Sequence, residues 1–165
     1  MITMDVLIDQ TLTMRQTIVK LLKSIPVEYA DTIPPTWHNN ARWHAGHLVV
    51  TPFLVTYGIL KEPLPVPEDY RKWFAKGSSP ANWTDADLQA MPQFSDLVDE
   101  IVPQMGKLFD AWRERGVDQP FLEPYPTSAG VVLHSPAESL SFSLAHDAIH
   151  LGMILALKRA LQIEQ

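Results

Sequence analysis

The sequence predicts an all-α fold, a four-helix bundle with a long crossover between its second and third helices. Three observations carry this. Apolar residues recur at three- and four-residue spacing in four separate stretches, the period of helices that each bury one face. Proline-dense segments separate those stretches, and only Pro52 and Pro103 fall in the interior of one. The last stretch opens with a complete helix-start signal at Ser135.

The first helix is read from Met4, Leu7, Thr11, Met14, Ile18, Leu21 and Ile25, a 3-4-3-4 repeat that Pro26 ends. A loop rich in Pro, Asp and Thr leads to Asn39 and Asn40, both good N-caps for a second helix. That helix carries Trp43, His47, Val50 and Leu54 on one face. It runs to about Leu60 with a kink at Pro52, or stops at Thr51. From Lys61 to Pro92 the pattern dissolves, yet Tyr70, Trp73, Phe74 and Trp83 are too apolar for a disordered linker. A connection of about thirty residues is unusual in a compact domain. It reads as a crossover, which four-helix bundles tolerate, with Tyr70, Trp73 or Phe74 packed on the helices.

The third helix spans Phe94 to Arg115, with the stripe Phe94, Leu97, Ile101, Met105, Leu108 and Trp112, a bend at Pro103 and closure at Gly116. A loop from Val117 to His134 follows, in which Val131 to Leu133 fits a short strand. In the last helix Ser135 is the N-cap, Pro136 occupies the first position and Glu138 the third, the pattern of a capping box. Its expected stripe is Leu140, Leu144, Leu151 and Leu155, continuing to about Leu161.

At 165 residues the chain is expected to form one domain, 1–165. Its net charge is -6 and it has no basic block, which argues against nucleic acid as a partner. With no cysteine there is no disulfide, no Cys nucleophile and no Cys metal ligand. The N-terminal stretch carries Asp5 and Asp9 and lacks signal-peptide architecture. Apolar runs are read as too short to span a bilayer, so no membrane partner is expected and the expected location is the cytoplasm.

Six histidines stand at 38, 44, 47, 134, 146 and 150. His146 and His150, four apart in the last helix, share a face and can converge on one ion. His47 lies on the apolar face of the second helix, beside Gly46, which would allow close approach of a neighbour. A single histidine on such a face is usually a core residue with a hydrogen-bond partner. Three at core-facing positions would each need one, and one cation satisfies all three. His44 falls about 60° from the His47 stripe and is expected to be outer-sphere or exposed. His38 and His134 read as loop residues.

The runs Asn39-Asn40-Ala41-Arg42-Trp43-His44-Ala45-Gly46-His47-Leu48 and His146-Asp147-Ala148-Ile149-His150-Leu151-Gly152 resemble those of the DinB-like (YfiT-like) metal-binding bundle superfamily. The resemblance covers nearly the whole chain. It implies a four-helix bundle with a long connection between helices two and three, and His47, His146 and His150 as ligands of one divalent transition metal. Zinc or nickel is expected first, iron or manganese next. It also implies a homodimer, consistent with apolar residues left over on helices one and three. Some members transfer low-molecular-weight thiols or use them in isomerisation, and many have no known reaction.

Three neutral imidazoles leave a coordination position open, as catalytic sites do. A metal there can activate water or hold a thiol deprotonated at neutral pH. The chain has no thiol of its own, so thiol chemistry would need a thiol cosubstrate. The expected function is therefore a thiol-dependent S-transferase or a hydrolase acting on a small molecule. The alternative is a non-catalytic, metal-stabilised bundle that serves in protein interaction. His146-Asp147-Ala148-Ile149-His150 is the metalloprotease pattern H-E-x-x-H with Asp for Glu. Asp147 is otherwise read as a solvated helix position. Asn40 and Glu138 are candidates to orient an imidazole.

Overall fold

The computed structural model describes residues 3–163. Thr3 caps α1 (Met4–Lys23) by accepting from the Val6 amide. The helix buries Thr11, Arg15, Ile18 and Leu22, so a charged residue lies in the middle of the predicted apolar stripe.

Asn40 caps α2 (Ala41–Phe53), its side-chain oxygen accepting from the Trp43 amide at 2.8 Å. Every residue of α2 except Thr51 is buried, as expected of a helix enclosed on all sides rather than laid on a core. Pro52 does not stop it. The backbone widens into a π-helical turn over Leu54–Gly58. Buried Thr56 donates its hydroxyl to the carbonyls of Pro52 (2.7 Å) and Phe53 (3.3 Å), which satisfies polar groups in the disturbed ladder.

The crossover contains two short helices, α3 (Asp69–Phe74) and α4 (Asp85–Ala90). Tyr70, Trp73 and Phe74 are all buried, as their composition predicts, and α3 packs on α2. Asp87 pins the segment. It accepts from the Trp73 indole at 2.9 Å, from Lys72, and from Thr84 in a reciprocal capping box.

Gly46 is where the crossover meets α2. A Cβ there would stand 2.3–2.5 Å from atoms of the Phe74 ring, nearer than any real contact. Phe74 is fully buried and cannot yield freely. Gly46→Ala is expected to destabilise the fold by about 1–3 kcal/mol through overpacking. Urea denaturation would measure this, and an unchanged midpoint would show that the crossover can shift without cost.

The third long helix, α5 (Phe94–Arg115), buries its whole predicted stripe and ends at Gly116, held at φ +89°. Tyr125–Pro126 (β1) and Val132–Leu133 (β2) pair antiparallel, the second matching the predicted strand to within a residue. Ser135 caps α6 (Pro136–Ala160) by accepting from the Glu138 amide. The reciprocal half of the capping box differs from expectation, because the Glu138 carboxylate accepts from the amide and ring of His134 instead (2.8 and 3.0 Å).

The predicted α6 stripe holds at Leu140 and then runs out of phase. The buried set is Pro136, Ser139, Leu140, Ser143, Asp147, His150, Ile154 and Leu157, while Leu155 is 40% exposed. Polar residues occupy the inward seam, and leucine spacing alone points elsewhere. α6 is also long and apolar enough, by length and composition, to cross a membrane, contrary to the reading of its apolar runs as too short; in this fold it packs against α1 and α2.

The four long helices close a ring. α1 packs on α5 and α6, and α2 packs on the same two. The crossover is what lets α5 settle between α1 and α2, the all-α four-helix arrangement that the sequence predicts.

Candidate metal centre

The three predicted ligands meet. His47 from α2 and His146 and His150 from α6 each offer a ring nitrogen, and these atoms lie within 4.8 Å of one another. Nε2 of His47 is 3.2 Å from Nε2 of His146. For tetrahedral zinc, nitrogens bound at about 2.0–2.1 Å stand roughly 3.3 Å apart, so this pair already has the required separation.

The tautomer of His47 is fixed from outside. Its Nδ1–H donates to the Phe74 carbonyl at 2.6 Å, since a carbonyl can only accept. The neutral ring therefore turns the Nε2 lone pair toward His146. The close approach that Gly46 permits is what brings this carbonyl within reach. Trp43 stacks on the His47 ring at 4.3 Å and 15°, and its indole donates to Ser78 Oγ at 2.8 Å. The Thr51 hydroxyl lies 3.2 Å from His47 Nε2.

His44 takes the first of the two places that the helical wheel leaves it, outer-sphere rather than exposed. It is fully buried, and its Nδ1 is 2.9 Å from Nδ1 of His150. Burial lowers the pKa of His44 to about 4 and of His47 to about 3, and His146 adds a coulombic push the same way. His150 is driven far below its ordinary range, first by burial. These rings are therefore neutral at pH 7, the state in which imidazole binds a metal. His44 Nε2 and His146 Nδ1 are buried without a protein hydrogen-bond partner.

Asp147 is not solvated. It is fully buried, and Arg15 grips both its oxygens, Nε at 2.7 Å and Nη2 at 3.0 Å. Arg15 Nη1 also donates to the Ile101 carbonyl at 3.0 Å, which joins α1, α5 and α6. With both oxygens engaged, Asp147 cannot serve as the base of a metalloprotease. Asn40 is occupied as the α2 cap and by the Asp31 carbonyl, and Glu138 holds exposed His134, so neither orients a ring of the triad. His38 is exposed at the rim of the cavity that opens onto the triad.

A cavity of about 490 Å³ opens onto the three imidazoles. Trp43, Leu54, Phe142, Ile149 and Met153 give it apolar walls, and Ser78, Ser79 and Thr127 add hydroxyls. No carboxylate lines it among the described residues, and Lys76 is its single Lys or Arg.

The donor set, the fixed His47 tautomer and the facing Nε2 atoms fit a divalent transition metal. Fold and site together define a helical bundle with a three-histidine group able to hold a metal ion. The family model for the DinB superfamily matches residues 10–154, and the chain belongs to that superfamily. A comparison with curated proteins finds no significant match.

Proposed function

We propose that the chain is a metal-dependent enzyme in which His47, His146 and His150 hold one divalent ion, and that it transfers a low-molecular-weight thiol to a small electrophile. The observation that carries this reading is the cavity without a carboxylate, open to the three imidazoles. Hydrolysis commonly relies on a positioned carboxylate to take the proton of water. Here the nearest sequence candidate, Asp147, is engaged by Arg15. Thiol transfer has less need of such a base, because a thiol ionises far more readily than water.

In the reaction R–SH and R′–X give R–S–R′ and HX. The sulfur–carbon bond forms as carbon–X breaks, and the thiol proton leaves with X. When bound, the ion supplies positive charge that favours the deprotonated thiol. The chain's residues do the rest. The Phe74 carbonyl and Trp43 hold the His47 ring in place. The apolar walls offer a surface to the apolar part of the substrate, and the Thr51 and Ser78 hydroxyls can take hydrogen bonds from it.

A cytoplasmic location suits this chemistry, since low-molecular-weight thiols are kept reduced there. We also propose a homodimer, but on a different face from the one the sequence indicates. Among the large apolar residues exposed by more than a third, α1 contributes only Val6 and α5 none, whereas α6 exposes Ile149, Met153 and Leu155.

Metal analysis of the purified protein followed by a thiol-plus-electrophile assay tests the reading. About one ion per chain is expected, with thiol conjugation that a chelator removes and metal restores. Stoichiometric metal with no thiol reaction but hydrolysis of a small ester or amide would favour the hydrolase. Metal with neither activity would leave the bundle stabilised by its metal.

A further inference from the structure

Beside the metal cavity runs a second groove of about 680 Å³, and the two share Leu54, Lys76 and Tyr125 in their walls. This groove is basic. Lys61, Arg71 and Lys76 line it, against the single carboxylate of Glu123. The chain as a whole carries a net charge of -6, so a cationic groove runs against its composition.

The three cations have no ionic partner among the described residues. Arg15, Lys23, Arg42, Lys72, Arg113 and Arg115 all form ion pairs with carboxylates. Two acids that might have neutralised these cations are engaged with other partners. Glu62 follows Lys61 but is held by both terminal nitrogens of Arg115 at 2.6 Å. Asp87 takes Lys72 and leaves its neighbour Arg71 unpaired. Among the described residues seven Lys and Arg have no carboxylate partner, and three of them gather in one groove.

Two backbone features support a built site. Lys61 sits at φ +59°, the left-handed position after a helical turn that glycine ordinarily takes. A lysine there is held in a conformation uncommon for its type. The π-helical turn that follows Pro52 supplies Leu54 to both compartments and Gly58 to the second. Such turns are frequent at functional sites.

We propose that the Lys61–Arg71–Lys76 groove seats an oxyanion, carboxylate or phosphate, at one end of a molecule whose other end reaches the three histidines. This rests on the reading of the histidine cavity as a substrate pocket, and it assigns the substrate class: an elongated small molecule, apolar or thiol-bearing at the metal end and anionic at the other. Lys76, common to both walls, marks the passage between them.

The test uses the protein as purified and four probes: succinate, inorganic phosphate, mercaptosuccinate and neutral 2-mercaptoethanol. Amide chemical-shift titration should place succinate, phosphate or both at residues 58–61, 71–76 and 122–125, with binding that weakens as salt rises. The tighter binder of the two identifies the oxyanion. The variant Lys61→Gln/Arg71→Gln, whose changed side chains are exposed, should weaken that anion and mercaptosuccinate by about tenfold or more while leaving 2-mercaptoethanol unchanged. His150→Ala should leave succinate or phosphate binding intact, which separates the groove from the metal. If anions bind and no thiol reacts, the groove stands and the transferase reading falls. If neither anion perturbs these residues, or the double variant binds mercaptosuccinate as the wild type does, the groove proposal is overturned.

Discussion

Arg15→Met should destabilise the protein by about 3–5 kcal/mol, because it leaves a carboxylate charged and alone in the bundle core. Arg15 and Asp147 are both fully buried, and the two-nitrogen grip on Asp147 plus the bond to the Ile101 carbonyl leave no place for water to substitute. Methionine fills much of the arginine's volume, so the loss is electrostatic rather than a cavity effect. The double variant Arg15→Met/Asp147→Leu separates the two. It removes both charges and should recover most of the stability, since a buried ion pair is often worth no more than a well-packed apolar pair. Urea unfolding of the two single variants and the double variant gives the coupling directly. A loss under about 1 kcal/mol in Arg15→Met would mean that water reaches Asp147 and that the pair is not a dry one.

The same pair explains what was legible in the sequence and what was not. Helix existence and position came through well, and α5 matches its predicted span and stripe because all six stripe positions are apolar. α6 did not, because Ser143, Asp147 and His150 hold the inward seam, and an apolar count assigns such residues to solvent. Arg15 was missed for the same reason. Its spacing from Thr11 and Ile18 did place it on the buried face, and a charge on the inward face of one helix asks for an opposite charge on another. Asp147, four residues after buried Ser143, meets that demand, but pairing them requires knowing that α1 and α6 are neighbours.

The histidine site was legible for a different reason. His146 and His150 are fixed relative to each other by helix geometry alone, and His47 was singled out by an apolar setting that cannot hold a lone imidazole cheaply. The Phe74 carbonyl had no signal, because every residue has one; only Gly46 hinted that something came close. The wheel leaves His44 open between outer-sphere and exposed because it assumes a helix with one buried face. α2 is buried all round, so an angular offset of about 60° still points into protein.

Removing His150 should abolish stoichiometric metal, and removing the partner of its other nitrogen should weaken metal without touching a ligand. Nδ1 of His44 and Nδ1 of His150 lie 2.9 Å apart, so one proton bridges them. If that proton belongs to His44, a neutral His150 must carry its own on Nε2, and that nitrogen cannot bind metal. If it belongs to His150, Nε2 has a free lone pair and His44 is the acceptor that holds the ring. Metal binding selects the second arrangement, as outer-sphere acceptors commonly do. His44→Leu should therefore lower zinc affinity by about 10–100-fold. His44→Gln, whose side-chain oxygen can accept from the same nitrogen, should recover part of the loss. His150→Ala leaves two imidazoles and should bring zinc below one ion per chain after dialysis. His38→Ala and His134→Ala should leave zinc unchanged, since both rings are exposed and outside the triad. Chelator competition measures the affinities, and far-ultraviolet circular dichroism checks that each variant stays helical. Wild-type zinc content in His150→Ala would remove that residue from the ligand set. Equal affinity in wild type, His44→Leu and His44→Gln would show that the contact between the two histidines is packing and not orientation.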